Sequence, residues 1–320
     1  LSLDLKKISQ PVEKELEEFR IEFRKAIKSK VALIELISKY ILRQKGKKIR
    51  PILVLLSAKL CGNINQRSYL AATLVEMLHT ATLIHDDVVD DAQTRRGLAS
   101  INAVWKNKIA VLMGDFMLSR GLLLALENDE CGFLKITSRA VKRMSEGELL
   151  QIQKNRKFDV NEETYFRIIS DKTASLITAC CQLGAASTTD NKENVRLMSE
   201  FGENIGVAFQ LRDDLLDYIG KKSSGSDLKE KKFTLPLIHA LQNSAKKESK
   251  EIISLVKNGS YSKSKNIVMD FIKAHNGIEY TVEKTHEFCE IAKSKITGFK
   301  NSETKETLVS FVNFIGERVN

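Results

Sequence analysis

Two stretches of this chain gather carboxylates at a repeated spacing. "HDDVVDD" sets Asp86, Asp87 and Asp90 as Asp-Asp-x-x-Asp, and "RDDLLDY" sets Asp213, Asp214 and Asp217 the same way. On a helix, residues i, i+1 and i+4 fall on neighbouring parts of one face. Carboxylates crowded like this repel, so one of them must take up a proton or find a cation. Magnesium suits such a set. It is a hard ion that binds a few carboxylates, keeps waters and accepts phosphate oxygens as its remaining ligands. A lone cluster of this kind is as readily a solvated acidic helix end. Here "TATLIH" precedes the first cluster and "IGVAFQL" leads into the second. Both therefore sit within apolar helices, which argues for a metal cage open to a polyphosphate.

Cations accompany the carboxylates. Arg95 and Arg96 follow the first cluster, and "GKKIRP" offers Lys47, Lys48 and Arg50 before a helix. "SDKTASL" opens an apolar run with Lys172 and Thr173, and Lys222 and Lys232 follow the second cluster. Arginine can grip phosphate bidentately, whereas lysine acts as a mobile point charge. Each alone reads as a surface cation; their association with two acidic sites is what singles them out. His79 lies seven residues before Asp86, two helical turns away on nearly the same face. His85 points about 100° away from Asp86 and reads as structural or supporting. Glu148 and Gln151 in "SEGELLQ" are either a polar helix face or organisers of water and metal. Trp105 reads as packing.

The elements that must position these residues are helical. Only three prolines and 16 glycines interrupt 320 residues, and 42% of the chain is apolar, which favours long helices around a substantial core. "VEKELEEFRIEFRKAI" puts Leu16, Phe19, Phe23 and Ile27 on one stripe. "VALIELISKYIL" and "RPILVLLSAKLCG" read as the next helices, the latter entered through Pro51 and closed by Gly62. Residues 68–92 are apolar almost all round and predict a buried central helix. Residues 103–127, 133–154, 162–186 and 192–219 predict further long helices, "GKKSSGS" a loop, and shorter helices follow to Asn320. No alternating strand pattern and no domain boundary is visible, so residues 1–320 read as a single all-helical domain. No run reaches the roughly 18 apolar residues of a membrane span. The N-terminus shows no apolar signal segment. The five cysteines have no metal-binding spacing, and their odd number and apolar surroundings predict reduced core thiols in a cytoplasmic protein. The formal charge of +10 is compatible with anionic substrates or surfaces. No nucleic-acid-binding motif is present, and aromatics are only 7%, so no nucleic-acid partner is expected.

From about Lys45 to Pro236 the sequence closely resembles the trans-prenyltransferases, the isoprenyl diphosphate synthases. "KGKKIRP" is similar to the family's GGKRxRP. "EMLHTATLIHDDVVDDAQTRRG" resembles its first aspartate-rich region and "FQLRDDLLDY" its second. "GDFMLSRG", "MSEGELLQ", "SDKTASL" and "GSDLKEKKFTLPLI" resemble further blocks. The resemblance implies an all-α isoprenoid synthase fold, with some ten main helices around a deep central cavity, usually as a homodimer. It implies an allylic diphosphate held by three magnesium ions between the clusters, with isopentenyl diphosphate beside it. Carried over, Asp86, Asp87, Asp90, Asp213 and Asp217 concern metal, with Asp214 close by. Lys172, Arg95, Lys222 and Lys232 match allylic-diphosphate positions, supported by Thr173 and Gln210. Lys47, Arg50, His79 and Arg96 match isopentenyl-diphosphate positions. Two departures stand out. Lys231 replaces the glycine of the family's EGK in a shortened loop, and Lys45 replaces the first glycine of GGK.

The implied reaction needs no side-chain nucleophile. Metal and cations stabilise the leaving diphosphate, and apolar helix walls keep water from the carbocation. In the resemblance, bulky aromatics four or five residues before the first aspartate close the pocket of short-chain enzymes. Here those positions are the small Thr82 and Ala81, and no aromatic lies between Tyr69 and Asp86. Each turn reaches about 5.4 Å deeper, so a product longer than C20, about C30–C40, is expected. Phe116, Met117 or Leu122 could instead supply a floor. A product of that length also suggests peripheral membrane contact for its release. The alternatives are a geranylgeranyl or farnesyl diphosphate synthase, a class I terpene cyclase, or a non-catalytic synthase subunit. Cyclases normally carry an Asn/Ser/Glu site opposite the DDxxD, and non-catalytic subunits tend to lose a cluster.

Overall fold

The structure is a computed structural model and describes residues 5–44, 46, 48–95, 97–157, 161–219, 229–230, 232–258 and 261–317. A short α1 (Leu5–Ser9) and a 3-10 turn (Gln10–Val12) lead into α2 (Glu13–Ala26), α3 (Ala32–Arg43), α4 (Ile49–Cys61) and α5 (Gln66–Val89). Next come α6 (Ile101–Glu127), α7 (Cys131–Lys157), α8 (Glu162–Ile169), α9 (Ser175–Ala186) and α10 (Lys192–Tyr218). The chain continues through α11 (Leu235–Gln242), α12 (Lys246–Asn258), α13 (Tyr261–Ala274), α14 (Gly277–Ile296) and α15 (Glu303–Glu317).

Helix α5 is the central element. It packs against α2, α4, α6 and α9, while α10 packs on α9 and α14. Its start is fixed by a capping box. The Asn65 side chain accepts from the Arg67 and Ser68 amides at 2.9 and 3.3 Å, and the Ser68 hydroxyl accepts from the Asn65 amide. These contacts satisfy amide donors that a helix start leaves without partners. Leu70, Leu74, Val75, Met77 and Ile84 are buried, so α5 has no solvent face over much of its length. Across from it, Leu53, Val54, Leu55 and Leu56 of α4 are at most 1% exposed, each such side chain contributing about 1.5–3 kcal/mol. Helices α9 and α4 cross closely: a Cβ on Gly184 would stand 2.2 Å from the Val54 carbonyl oxygen. A second apolar cluster, built on α11, α12 and α13, packs around Tyr218 and Leu211 of α10.

Four details depart from the sequence expectations. A two-strand hairpin, β1 (Thr94–Arg95) and β2 (Leu98–Ala99), follows α5, pairing Thr94 with Ala99 and Arg95 with Leu98. The region 162–186 is two helices joined by a π turn, Ser170–Ala174. Helix α6 is long and apolar enough to span a membrane by length and composition, with a third of its most apolar stretch buried. Of the cysteines, all free, Cys180, Cys181 and Cys289 are buried, but Cys131 is exposed rather than a core thiol. Burial pushes the Cys61 and Cys181 thiols up to about 12 and Cys289 to about 11. Trp105 packs edge-on to Tyr40 with ring centroids 5.0 Å apart, as a packing residue would. The proposed loop 220–226 lies outside the described residues, as do Lys45, Lys47, Arg96, Lys222 and Lys231.

Candidate active site

The last turns of α5 deliver the first cluster. Asp86 is exposed and lines a cavity of about 450 Å³. The lining of that cavity is polar at Arg50, His79, Glu148 and Lys172 and apolar at Leu83, Met144, Leu149 and Leu176. Partial desolvation at the cavity pushes the Asp86 carboxyl above its ordinary value although the residue as a whole is exposed, and the negative charges of Glu148 and Asp90 add to this, with Lys172 and Arg95 opposing. Asp90 caps the end of α5 and is exposed.

Asp87 faces elsewhere. It is 3% exposed, and its carboxylate accepts from Arg95 Nε at 2.7 Å. Its backbone carbonyl accepts from the Asn102 amide at 3.1 Å. The hairpin thus folds Arg95 back onto α5, and Asp87 is not among the residues that line the large cavity. Asp87 and Arg95, read from the sequence as a metal ligand and a diphosphate contact, are engaged with each other.

In the second cluster, the partners of Asp214 among the described residues are neutral donors. Asp214 accepts from the Tyr165 hydroxyl at 2.6 Å and from Gln210 Nε2 at 2.7 Å, and Thr173 donates to Gln210 Oε1 at 2.8 Å. Asp213 is exposed, while Asp214 and Asp217 are buried. Asp214 lines a smaller cavity of about 90 Å³ with Tyr165, Gln210, Lys232 and Phe233. Lys172 and Thr173 line both cavities and form the wall between them. Lys172 Nζ reaches Glu148 at 2.5 Å and Gln151 at 2.7 Å. Those two residues of α7 are therefore partners of the site, not a bare solvent face. Lys232 pairs with Glu230 at 2.5 Å.

The basic end of the large cavity is built by α4 and α5. Arg50 Nη1 donates to His79 Nε2 at 2.9 Å, which leaves the ring proton on Nδ1. Lys48, in a left-handed conformation at the start of α4, reaches the buried Glu76 at 2.6 Å. Glu76 and Tyr165 were not singled out from the sequence. An acid inside "LVEMLH", one turn before His79, could have signalled a buried ion pair. Nothing in the sequence signalled Tyr165. His85 is structural: its ring contacts the Val111 carbonyl at 3.2 Å and occupies the space a Cβ on Gly114 would need. Of the two chain-length positions, Thr82 lines the large cavity, whereas Ala81 is fully buried and does not.

Among the described residues no three His, Cys, Asp or Glu side chains stand close enough to hold a metal ion by themselves. The acids nearest Asp86 are Glu148 and Asp90, oxygen ligands that fit a hard cation drawing its other ligands from water or phosphate.

The Polyprenyl synthetase family model matches residues 31–272. The chain is 34% identical over 326 residues to an all-trans-nonaprenyl-diphosphate synthase (geranyl-diphosphate specific) of Rhodobacter capsulatus, covering 100% of both. It is 32% identical over 321 residues to an octaprenyl diphosphate synthase of Escherichia coli (strain K12), covering 99% of both. The crystal structure of a polyprenyl synthase from Caulobacter crescentus CB15, complexed with calcium and isoprenyl diphosphate, superposes with a TM-score of 0.89. That match has 29% identity and covers 100% of this chain and 99% of the other.

Proposed function

The chain belongs to the polyprenyl synthetase family and is a prenyltransferase, and from that premise we propose that it adds isopentenyl diphosphate to an allylic prenyl diphosphate, releasing an all-trans polyprenyl diphosphate longer than C20. The observation that carries this reading is the large cavity, whose lining combines carboxylates and cations with Leu83, Met144, Leu149, Leu176 and the small Thr82. An allylic diphosphate needs both halves.

Asp86, Asp90, Asp213 and Asp217 would hold magnesium, on the family pattern about three ions with substrate bound. The bound metal supplies positive charge to the diphosphate as the allylic C–O bond breaks. Lys172 moves from Glu148 to the allylic diphosphate, with Thr173 beside it. Lys232 stands across the smaller cavity, and Lys222 follows on the family pattern. Charge placed where the leaving group becomes negative stabilises the transition state more than the ground state. Arg50 and His79, with Lys47 and Arg96, hold the isopentenyl diphosphate. Its double bond attacks the allylic carbon, the new C–C bond forms, and the proton lost goes to the departed diphosphate. Leu83, Met144, Leu149 and Leu176 exclude water from the cation. Asp87 acts through Arg95 rather than as a ligand, and Asp214 acts through Gln210 and Thr173.

We read the chain as one all-helical unit working as a homodimer in the cytoplasm. Support for the dimer is the outward face of α6, where Val104, Val111, Leu112, Leu122, Leu123 and Leu126 are exposed and would be covered by a second copy. Support for a peripheral membrane contact is the corner between α2 and α3, where Val31, Leu33 and Leu36 are exposed beside Lys28 and Lys30. That combination suits an anionic lipid surface. The test is incubation with labelled isopentenyl diphosphate, an allylic primer and magnesium, then phosphatase treatment and chromatography. Alcohols longer than C20 are expected. A hydrocarbon, no product, or arrest at C20 or below contradicts the reading.

A further inference from the structure

Lys172 and Thr173 stand on a π turn, Ser170–Ala174, closed by the Ser175 amide donating to the Ser170 carbonyl. Single π turns inside helices are rare and occur frequently at functional sites. Helices α7 and α10 support this one from two sides. A Cβ on Gly147 of α7 would stand 2.7 Å from the Lys172 amide nitrogen, and one on Gly206 of α10 would stand 2.6 Å from Ala174 Cα. Neither helix could approach so closely with a side chain there.

The polar half of the support converges on one guanidinium. Arg143 Nε donates to Asp171 Oδ1 at 2.7 Å, and Nη2 donates to the Ser170 hydroxyl at 2.7 Å. The same side chain forks onto Glu203 of α10, with Nη1 and Nη2 at 3.0 and 2.8 Å from the two carboxylate oxygens. Glu203 in turn accepts from Ser170 and from Thr178 Oγ1, the latter at 2.7 Å. Arg143 therefore joins α7, the π turn and α10 at once. Between one and just over two turns further along α7, Glu148 and Gln151 receive Lys172 Nζ.

We infer that Arg143 is a positioning residue for the transfer reaction: shared between Asp171 and Glu203, it fixes the π turn that presents Lys172 and Thr173 to the cavity. The inference rests on the assignment of Lys172 to the allylic diphosphate. A lysine at 143 would keep the charge but could not reproduce the planar fork. Misplacement of a binding group by about 1 Å can cost on the order of 100-fold in rate.

The experiment is a double-mutant cycle on the full chain, with Arg143→Lys, Lys172→Ala and the pair, measuring kcat and KM for each substrate separately. Arg143→Lys is expected to lower kcat/KM for the allylic diphosphate about 10- to 100-fold. KM for isopentenyl diphosphate should stay within about twofold, since Arg50 and His79 are on other helices. The double variant should be little worse than Lys172→Ala alone, because a residue acting through Lys172 has nothing left to position. Should Arg143→Lys fail to fold, Glu203→Gln enters the same cycle with the same expectation. Losses that multiply in the double variant, or fall equally on both substrates, overturn the positioning role. A Lys172→Ala variant with normal allylic kinetics overturns the site assignment itself, and the inference with it.

Discussion

The two aspartate clusters share a spacing and differ in nearly everything around it. At the end of α5, Asp87 is held by a cation, Arg95, brought back by the hairpin. Near the end of α10, Asp214 is held by a phenol and an amide, Tyr165 and Gln210. The third aspartate is exposed in the first cluster and buried in the second. Four residues before the leading aspartate stands Thr82 in α5 but Phe209 in α10. Asp-Asp-x-x-Asp thus specifies a position for carboxylates but not their electrostatic setting. The middle residue of each cluster is anchored to protein, while the leading residue of each is exposed.

The largest expected effects fall on those leading residues. Asp86→Ala and Asp213→Ala should each lower kcat by roughly 10³-fold or more, as loss of charge stabilisation at a departing group does, with the fold retained by circular dichroism. Near-normal steady-state turnover in either variant would break the proposed equivalence of the clusters.

The anchors should be separable by salt. Arg95→Ala leaves the buried Asp87 without its cation, and a stability loss of about 3 kcal/mol is expected, the low end for a buried pair because Arg95 is partly exposed. Tyr165→Phe removes one hydrogen bond to a carboxylate and should cost about 1.5–3 kcal/mol locally. Stability of the wild type relative to Arg95→Ala should shrink as ionic strength rises, because one partner is partly exposed. The comparison with Tyr165→Phe should hardly move. Equal salt dependence, measured by thermal melts, would mean that the two anchors do not differ in kind.

Giving α5 the aromatic that α10 already has sharpens the contrast. Thr82→Phe places a ring at the wall of the large cavity and should shift the product towards roughly C15–C20, one turn of helix being about 5.4 Å of depth, while the first condensation continues. Ala81→Phe enters a site with no space and should cost about 1–3 kcal/mol in stability before it affects length. Chromatography of the products beside melting curves decides this, and unchanged product in Thr82→Phe rules out the open wall.

The smallest effect concerns the support of the wall between the cavities. Burial alone would raise the Glu203 carboxyl, but hydrogen bonds from Arg143, Ser170 and Thr178 together hold it below its ordinary value of 4.5. A lowered folded-state value contributes stability above the unfolded value, and this is lost as pH falls through the folded one. The melting-temperature gap between wild type and Glu203→Gln should therefore be present at neutral pH and close below about pH 4. A gap that stays constant to acid would remove Glu203 from the linkage.

Much of this arrangement was legible in the chain itself, for identifiable reasons. Asp86 and Asp213 stand in apolar helices, where carboxylates need a purpose. Positions 79 and 86 share a helix face by spacing alone. The π turn was not legible because "SDKTASL" continues an apolar period on both sides, and one inserted residue leaves no compositional mark. The hairpin escaped because two-residue strands carry no alternation. The Asp87–Arg95 and Asp214–Tyr165 contacts join separate elements, and no local pattern encodes which element folds back onto which. The choice between Ala81 and Thr82 depends on where α7 and α9 lie around α5, which helical spacing does not fix.

On the proposed function, both clusters hold magnesium through a shared diphosphate. Calorimetric titration of inorganic pyrophosphate into the full chain, with and without magnesium, tests this most directly in wild type, Asp86→Ala and Asp213→Ala. Tight binding that requires magnesium in the wild type and is lost in both variants is the result predicted. Binding that persists without magnesium, or that survives the loss of either aspartate, would contradict it.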